Sequence, residues 1–295
     1  MPLSRRSLLT AGGAFLGLGT AAAVGVETEV LPGRSWAYQH LGINGSAGDV
    51  PDVAIGRILT GSFASKARGT DVGWAIAYPP GTPDDARLPV AIALHGRGGH
   101  FDNAMSPEHE AMPWFLAEGV DRGTPPFAIA SVDGGDSYWH DRSSGDRAGT
   151  MVVDELVPML ASRGLDTSHL GLIGWSMGGF GALHLGMQLG ASKVRAVCAL
   201  SPAIWHRYAD SAPGAFDDEA DFAALTPFGR TRELDGISVR IDCGESDPFY
   251  SAVKDYRAEF AHRPTGGFSL GAHETAYWRR VMPGHVRTLG NALSS

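Results

Sequence analysis

The sequence predicts an α/β fold in which a mostly parallel central sheet is covered by helices on both faces. Strand-length apolar segments recur along the 295 residues, bounded by Gly, Pro and Asp, and several are apolar throughout. Strands that are buried on both faces have this pattern, and helix-like segments separate the later ones. Ligands of such sheets bind at the carboxyl ends of the strands, so the residues that follow each strand are the first candidates for a functional site.

The apolar segments predict first three strands with no helix between them and then strands that alternate with helices. The expected strands are 53–59, 73–78, 90–94, 127–132, 170–175, 194–200, 239–243 and a weaker one at 267–271; the expected helices are 106–118, 150–163, 177–189, 252–262 and 274–289. The length suits one α/β domain over 27–295, with a long insert at 201–236 between the sixth and seventh strands.

Residues 1–26 have the features of a targeting segment. Arg5 and Arg6 form a twin-arginine pair, an uncharged Gly- and Ala-rich stretch follows, and residues 21–23 offer a small-residue cleavage site. We expect export by the twin-arginine route, to a secreted or cell-envelope location, with an uncleaved membrane anchor and peripheral membrane association as the alternative. The net charge of −8, without a Lys/Arg block, gives no reason to expect a nucleic-acid partner.

A candidate nucleophile, Ser176, lies between the apolar segment 170–173 and a helix-like segment that begins at Met177. Gly174 and Gly178 flank it at two residues on either side, which would let strand and helix pass closely while the serine stands on a sharp turn. This Gly-X-Ser-X-Gly pattern at a strand-to-helix boundary is typical of the nucleophile elbow of hydrolases. A glycine-rich structural turn is the alternative.

The third strand is followed by His95-Gly96-Arg97-Gly98-Gly99. Glycines here would let backbone N–H groups turn toward a reacting oxygen, as in the oxyanion loop of serine hydrolases. We assign the two donors to the backbone N–H groups of Met177 and Arg97. A plain strand-to-helix turn is the alternative.

A serine nucleophile needs a histidine base, and the base needs an orienting carboxylate, in the chain order Ser, acid, His. Asp247 follows the strand 239–243 in a loop that can leave the sheet, so we predict it as the acid, with Glu245 as the alternative. Asp242 falls inside the strand and is disfavoured.

Three histidines follow the predicted acid in the chain. His273 comes after the last predicted strand and directly before a helix, where a base would lie, so we predict it as the base. His262 and His285 are expected at the surface.

Aromatic residues near these positions are candidates for substrate contact. Trp139 lies in the loop 133–140 after the fourth strand, Trp205 in the insert 201–236, and Phe249 two residues after Asp247. The loop could be a substrate wall or an Asp/Gly turn with one packed aromatic residue. The insert could be a cap with an apolar acyl pocket or only a cover for the sheet.

The two cysteines, Cys198 and Cys243, lie in apolar strand-like segments and match no zinc motif. We expect buried free thiols, with a disulfide as the alternative in an exported protein.

The segment 174–183 and the segment 271–274 followed by Trp278 are very similar to those of the putative esterase family. That family includes esterase D-type enzymes and, more distantly, the secreted mycolyltransferases, and the leader and the loop 133–140 resemble exported actinobacterial members. The resemblance extends over about 92–278. It implies an α/β-hydrolase fold, a Ser176–His273–Asp247 triad and an acyl-enzyme that water hydrolyses. No metal or cofactor is implied.

The resemblance therefore implies an exported serine carboxylesterase acting on a small-molecule or lipid ester. An acyltransferase that moves the acyl group to a sugar or lipid hydroxyl is the first alternative, since water and alcohols compete for one acyl-enzyme. A non-catalytic binding protein that retains the fold is the second.

Overall fold

The computed structural model describes residues 41–295, so the targeting segment predicted at 1–26 lies outside the described part. An eight-stranded sheet runs in the order β1-β2-β4-β3-β5-β6-β7-β8. Its strands are β1 Ile58–Ser65, β2 Thr70–Ala77, β3 Pro89–Leu94, β4 Ala128–Val132, β5 Asp166–Trp175, β6 Val194–Leu200, β7 Ser238–Gly244 and β8 Phe268–Ser269. The pairs β1–β2 and β2–β4 are antiparallel, and all other neighbours are parallel.

Within residues 41–295, five α-helical segments connect these strands and a sixth follows β8. They are α1 Met112–Asp121, α2 over 148–162, α3 Met177–Leu189, α4 Glu219–Leu225, α5 Tyr250–Ala258 and α6 Thr275–Leu293. Helix α2 widens into a π-helical turn at Met151–Leu156 and then continues as Val157–Ser162. The result is the α/β-hydrolase fold that the sequence predicts, with β5 and α3 at its centre.

The two faces of the sheet carry different helices. Helices α1 and α6 pack on one face, and α2, α3 and α5 pack on the other. On the first face the sheet presents alanines, among them Ala75, Ala91 and Ala196, whose small side chains leave room for the long helix α6. Helices therefore cover both faces of the sheet, and a site can form at the carboxyl ends of the parallel strands.

Most predicted elements differ from the structure by a few residues at one end or both, and two differ by more. The first strand begins at Ile58 instead of 53, because it pairs with β2 through a short turn that ends at Gly69, and the register Ser65↔Thr70 fixes the strand around that turn. The first helix begins at Met112 instead of 106. Pro113 occupies its first turn, which is a favoured place for proline, so 106–111 form a loop.

The expectation for His285 is wrong. It was expected at the surface, but it is fully buried in α6, where its Nε2 lies 3.0 Å from Asp242 Oδ2. His262 is exposed, as expected. Cys198 and Cys243 are buried free thiols, which confirms that expectation. Within residues 41–295, no helix is both long and apolar enough to span a membrane.

Candidate active site

Ser176 lies at the turn between β5 and α3 with φ +56° and ψ −121°, a backbone conformation that residues other than glycine rarely adopt. The turn is tight because two glycines approach other backbone there. A Cβ on Gly174 would overlap the carbonyl oxygen of Gly178, and a Cβ on Gly178 would overlap that of Leu94. The serine side chain is thereby lifted to the carboxyl edge of the sheet, half-buried, at the N-terminus of α3.

The structure brings the three predicted residues of the triad together. The hydroxyl Oγ of Ser176 lies 2.8 Å from His273 Nε2, and the other ring nitrogen, Nδ1, lies 2.8 Å from Asp247 Oδ2. The Asp247 side chain is fully buried, and its second oxygen accepts a hydrogen bond from the backbone N–H of Phe249 at 2.9 Å. A carboxylate fixed in this way holds Nδ1 as the donor and leaves Nε2 free to accept the serine proton.

The loop 95–99 passes directly beside the serine. A Cβ on Gly96 would lie 3.1 Å from Trp175 Nε1 and 3.5 Å from Ser176 Cβ, so a side chain there would press on the Trp175 ring next to the serine. Among the described residues, neither the backbone N–H of Arg97 nor that of Met177 has a hydrogen-bond acceptor. Both groups are therefore available to bind an oxygen that develops negative charge.

His95 and Asp136 hold this loop in place. His95 Nε2 accepts from the backbone N–H of Gly134 at 2.9 Å, which leaves Nδ1 to donate to the carbonyl oxygen of Gly96 at 2.7 Å. Burial lowers the pKa of His95, in agreement with a neutral ring that both donates and accepts. Asp136 Oδ1 accepts from the backbone N–H of Gly98 at 2.6 Å. The loop after β4 thus braces the loop after β3.

Trp139 requires a correction, because it does not contact the cleft. The side chain is fully buried, its indole N–H donates to the carbonyl oxygen of His95 at 3.1 Å, and Gly134 and Gly181 pack against its ring. Space for so large a ring exists only because both neighbours are glycines. Trp139 therefore supports the loops from below, and of the two interpretations of the loop 133–140 the packed aromatic residue is right for this position.

Phe249 and Trp205 lie where substrate could contact them. The Phe249 ring meets the His273 ring edge-on, with centroids 5.2 Å apart, and Trp205 meets Phe249 at 5.4 Å. Both are half-buried. Trp205 also contacts Tyr138 and Phe216, so one side of the histidine is bordered by an aromatic cluster. The insert 201–236 contributes to this cluster and also packs its own aromatic residues.

On the other side of the triad, a cavity of about 410 Å³ opens onto Ser176 and His273. Its wall combines polar side chains with two tryptophans: Arg97, Asn103, His109, Glu110 and Thr275 line it together with Trp175 and Trp278. The Trp278 ring meets His273 edge-on at 5.0 Å and donates its N–H to Ser201 Oγ at 3.0 Å. His273 therefore lies between two aromatic edges, Phe249 and Trp278, which limit its movement.

Sequence reasoning missed the residues from the loop between β3 and α1. Asn103, His109 and Glu110 line the cavity, yet the predicted helix 106–118 placed two of them inside a regular element. Pro113 in the first turn of α1 is the sequence signal that could have shortened that helix. Within residues 41–295, no group of three or more His, Cys, Asp or Glu side chains is arranged to hold a metal ion.

A family model described as putative esterase matches residues 65–289. No curated protein matches the sequence at a significant level. Among solved structures, a ferulic acid esterase is 18% identical, covering 81% of this chain and all of that chain, with a TM-score of 0.62. An S-formylglutathione hydrolase from Agrobacterium tumefaciens is 17% identical over 82% of this chain and 98% of its own, with a TM-score of 0.60.

A third similar structure is a fluorophosphonate-binding serine hydrolase of Staphylococcus aureus. It is 16% identical, covers 79% of this chain and 98% of its own, and has a TM-score of 0.60. At these identities the likenesses support the fold, and the family match extends from the end of β1 almost to the end of α6.

Replacing Asp247 by Asn tests which carboxylate acts on His273. The amide keeps the shape but can donate to Nδ1, so the ring would present the wrong nitrogen to Ser176. We expect the rate at which a fluorophosphonate labels Ser176 to fall about 10³- to 10⁴-fold. The matched control is Glu245→Gln in the same loop, which should change the rate by no more than a few-fold. An equal loss in both variants would contradict the assignment.

Proposed function

The chain belongs to the putative esterase family, and from that premise we propose that it is a serine carboxylesterase whose nucleophile is Ser176. The observation that carries the proposal is the unbroken hydrogen-bonded series from Ser176 Oγ through the His273 ring to the buried Asp247 carboxylate, with 2.8 Å at each contact. A serine esterase needs this contact between serine and histidine because a serine hydroxyl is a weak nucleophile until a base removes its proton.

In the proposed mechanism His273 Nε2 takes the proton of Ser176 as Oγ attacks the ester carbonyl carbon. The carbonyl oxygen becomes an oxyanion, and the backbone N–H groups of Met177 and Arg97 bind it. His273 then passes its proton to the departing alcohol, which leaves an acyl-enzyme. Water, activated by the same nitrogen, attacks the acyl carbon and releases the acid together with free Ser176.

The oxyanion donors carry much of the proposed rate acceleration. In other serine hydrolases, loss of one such donor costs roughly 10²- to 10³-fold in turnover. Here both proposed donors are backbone groups, positioned by the tight turn at Ser176 and by the brace from His95. The N-terminus of α3 adds its partial positive charge at the same place.

We propose that the aromatic cluster beside His273 binds the acyl chain. Trp205 and Phe249 are half-buried and join the triad histidine to Tyr138 and Phe216, a surface suited to an apolar group. The acyltransferase alternative shares the acyl-enzyme and differs only in the acceptor. Product analysis with an added sugar distinguishes the two, since a transferase would yield the sugar ester in preference to the free acid.

Loss of the Ser176 hydroxyl tests the mechanism. In Ser176→Ala we expect hydrolysis of p-nitrophenyl butyrate to fall by at least about 10³-fold, to a level supported only by binding and the oxyanion donors. Melting temperatures of both proteins provide the control for folding. Substantial turnover by a folded Ser176→Ala protein would exclude Ser176 as the nucleophile.

Trp205→Ala tests the acyl site. We expect kcat/KM for p-nitrophenyl octanoate to fall about tenfold relative to the acetate, because an apolar contact to the longer chain is lost. The matched control is Phe228→Ala, since Phe228 lies in the same insert but packs on His206 and Tyr256 away from the triad. A Trp205→Ala protein with an unchanged chain-length profile and a much lower melting temperature would contradict the acyl role.

We also propose that the enzyme is exported, from the sequence of the segment 1–26 alone. The twin-arginine pair is the residue feature that this route needs. Replacing Arg5 and Arg6 together by Lys should keep the enzyme inside the producing cells, which fractionation and activity assays would detect. An unchanged distribution of activity would argue against this route.

A further inference from the structure

A buried carboxyl group lies in the wall of the cavity that opens onto Ser176. The Glu110 side chain belongs to a residue that is only 2% exposed, and its Oε2 has no hydrogen-bond partner among the described residues. Buried polar atoms are almost always paired, because leaving one without a partner destabilises the folded protein. A buried carboxyl that lines the same cavity as Ser176 and has an unpaired oxygen is therefore a candidate for binding substrate.

The backbone around Glu110 is held firmly. Its N–H donates to the carbonyl oxygen of Asn103 at 3.1 Å, and the next residue, Ala111, takes a left-handed conformation with φ +50° directly before α1. The guanidinium of Arg279, from α6, donates to the carbonyl oxygens of Pro107 and His109. Arg279 thus fixes the loop that carries Glu110 and uses its donors on backbone, although its charge still acts on the carboxyl.

We propose that Glu110 determines specificity by binding a hydroxyl group carried by the ester, an inference that rests on the proposed esterase function of Ser176. The preferred substrates are then hydroxylated esters, with the hydroxyl a few bonds from the scissile carbonyl. Glu110 touches substrate in this assignment but takes no part in proton transfer to the reacting atoms.

A hydroxyl suits this site better than a cation or an apolar group. Burial raises the pKa of Glu110 to about 8, so the group is largely neutral at pH 7 and has little attraction for a cation. A neutral carboxyl both donates and accepts hydrogen bonds, and a hydroxyl does the same. Arg97 lines the same wall and the charge of Arg279 acts on the carboxyl, so an ammonium group would meet like charges there.

The test uses pairs of esters of equal shape. p-Nitrophenyl 3-hydroxybutyrate and 3-methylbutyrate place the hydroxyl on the acyl part; 2-hydroxyethyl butyrate and propyl butyrate place it on the alcohol. Wild-type enzyme should favour the hydroxylated member of one pair about five- to tenfold in kcat/KM, the range expected when a buried polar group gains or loses a neutral partner. The responsive pair tells which part of the ester lies against Glu110.

Two variants and one control test whether Glu110 causes the preference for the hydroxylated ester. Glu110→Met keeps the size without the polar group and should remove the preference while leaving turnover of the isostere within about threefold. Glu110→Gln keeps a donor and an acceptor and should retain most of it. The matched control is Glu108→Gln, an exposed residue of the same loop, which should change nothing.

The outcomes separate this inference from the proposed function. If turnover depends on Ser176 but neither pair shows a preference, the inference is overturned and the proposed esterase function stands. The same holds if Glu110→Met retains the preference. A preference for butyrylcholine over 3,3-dimethylbutyl butyrate that Glu110→Met removes would also overturn it, in favour of a cation site. Absence of Ser176-dependent turnover for every ester overturns both.

Discussion

The close crossing of β5 and α3 is the constraint on which the rest of the site depends. Strand and helix approach so closely that no side chain fits at Gly174 or Gly178, and Ser176 must turn between them with a positive φ. Such a conformation costs about 1–3 kcal/mol and persists only where the surroundings over-determine it. Here the Ser176 N–H donates to Leu200, and its carbonyl oxygen accepts from Phe180 and Ala203. Hydrogen bonds to β6, within α3 and to the start of the insert thus stabilise the strained turn.

The cleft around this turn has two unlike sides, and they follow from the topology. β7 and β8 lead to Asp247, Phe249 and His273, while the chain after β6 brings Trp205 onto Phe249, so one side of the triad is aromatic. The chain after β3 brings the glycine loop and then the loop of Glu110, so the other side adds polar side chains to the tryptophans Trp175 and Trp278. An ester lying across Ser176 would place one part against each side. In the proposed enzyme, substitutions in the aromatic cluster would then change selection for the acyl chain separately from selection for a hydroxyl group at Glu110.

The parts of the site that a short local pattern encodes could be predicted from the sequence. Ser176 and His273 follow strands at glycine-rich turns, and Asp247 follows from chain order and the need to leave the sheet. Helix α3 was predicted with the bounds that the structure shows. What could not be predicted depends on contacts between distant segments. Trp139 is buried because a glycine of its own loop and Gly181 of α3 make room for its ring, and the Glu110 loop is fixed by an arginine 169 positions later.

A comparison of two Asp–His pairs, one in the site and one in the core, shows why residue identity alone does not make a base. Asp247–His273 and Asp242–His285 have nearly equal contacts of 2.8 and 3.0 Å. Burial alone would raise the pKa of Asp242, but His285 and Arg240, which lies 2.8 Å from the same carboxylate, outweigh it and hold that pKa below its usual value. Burial also lowers the pKa of His285, which has no exposed surface and no hydroxyl to act on. His273 keeps 24% of its side chain exposed and turns its free nitrogen toward Ser176. A histidine can transfer a proton only where it reaches a nucleophile and solvent. His273, just before α6, has this access, whereas His285, inside α6, does not.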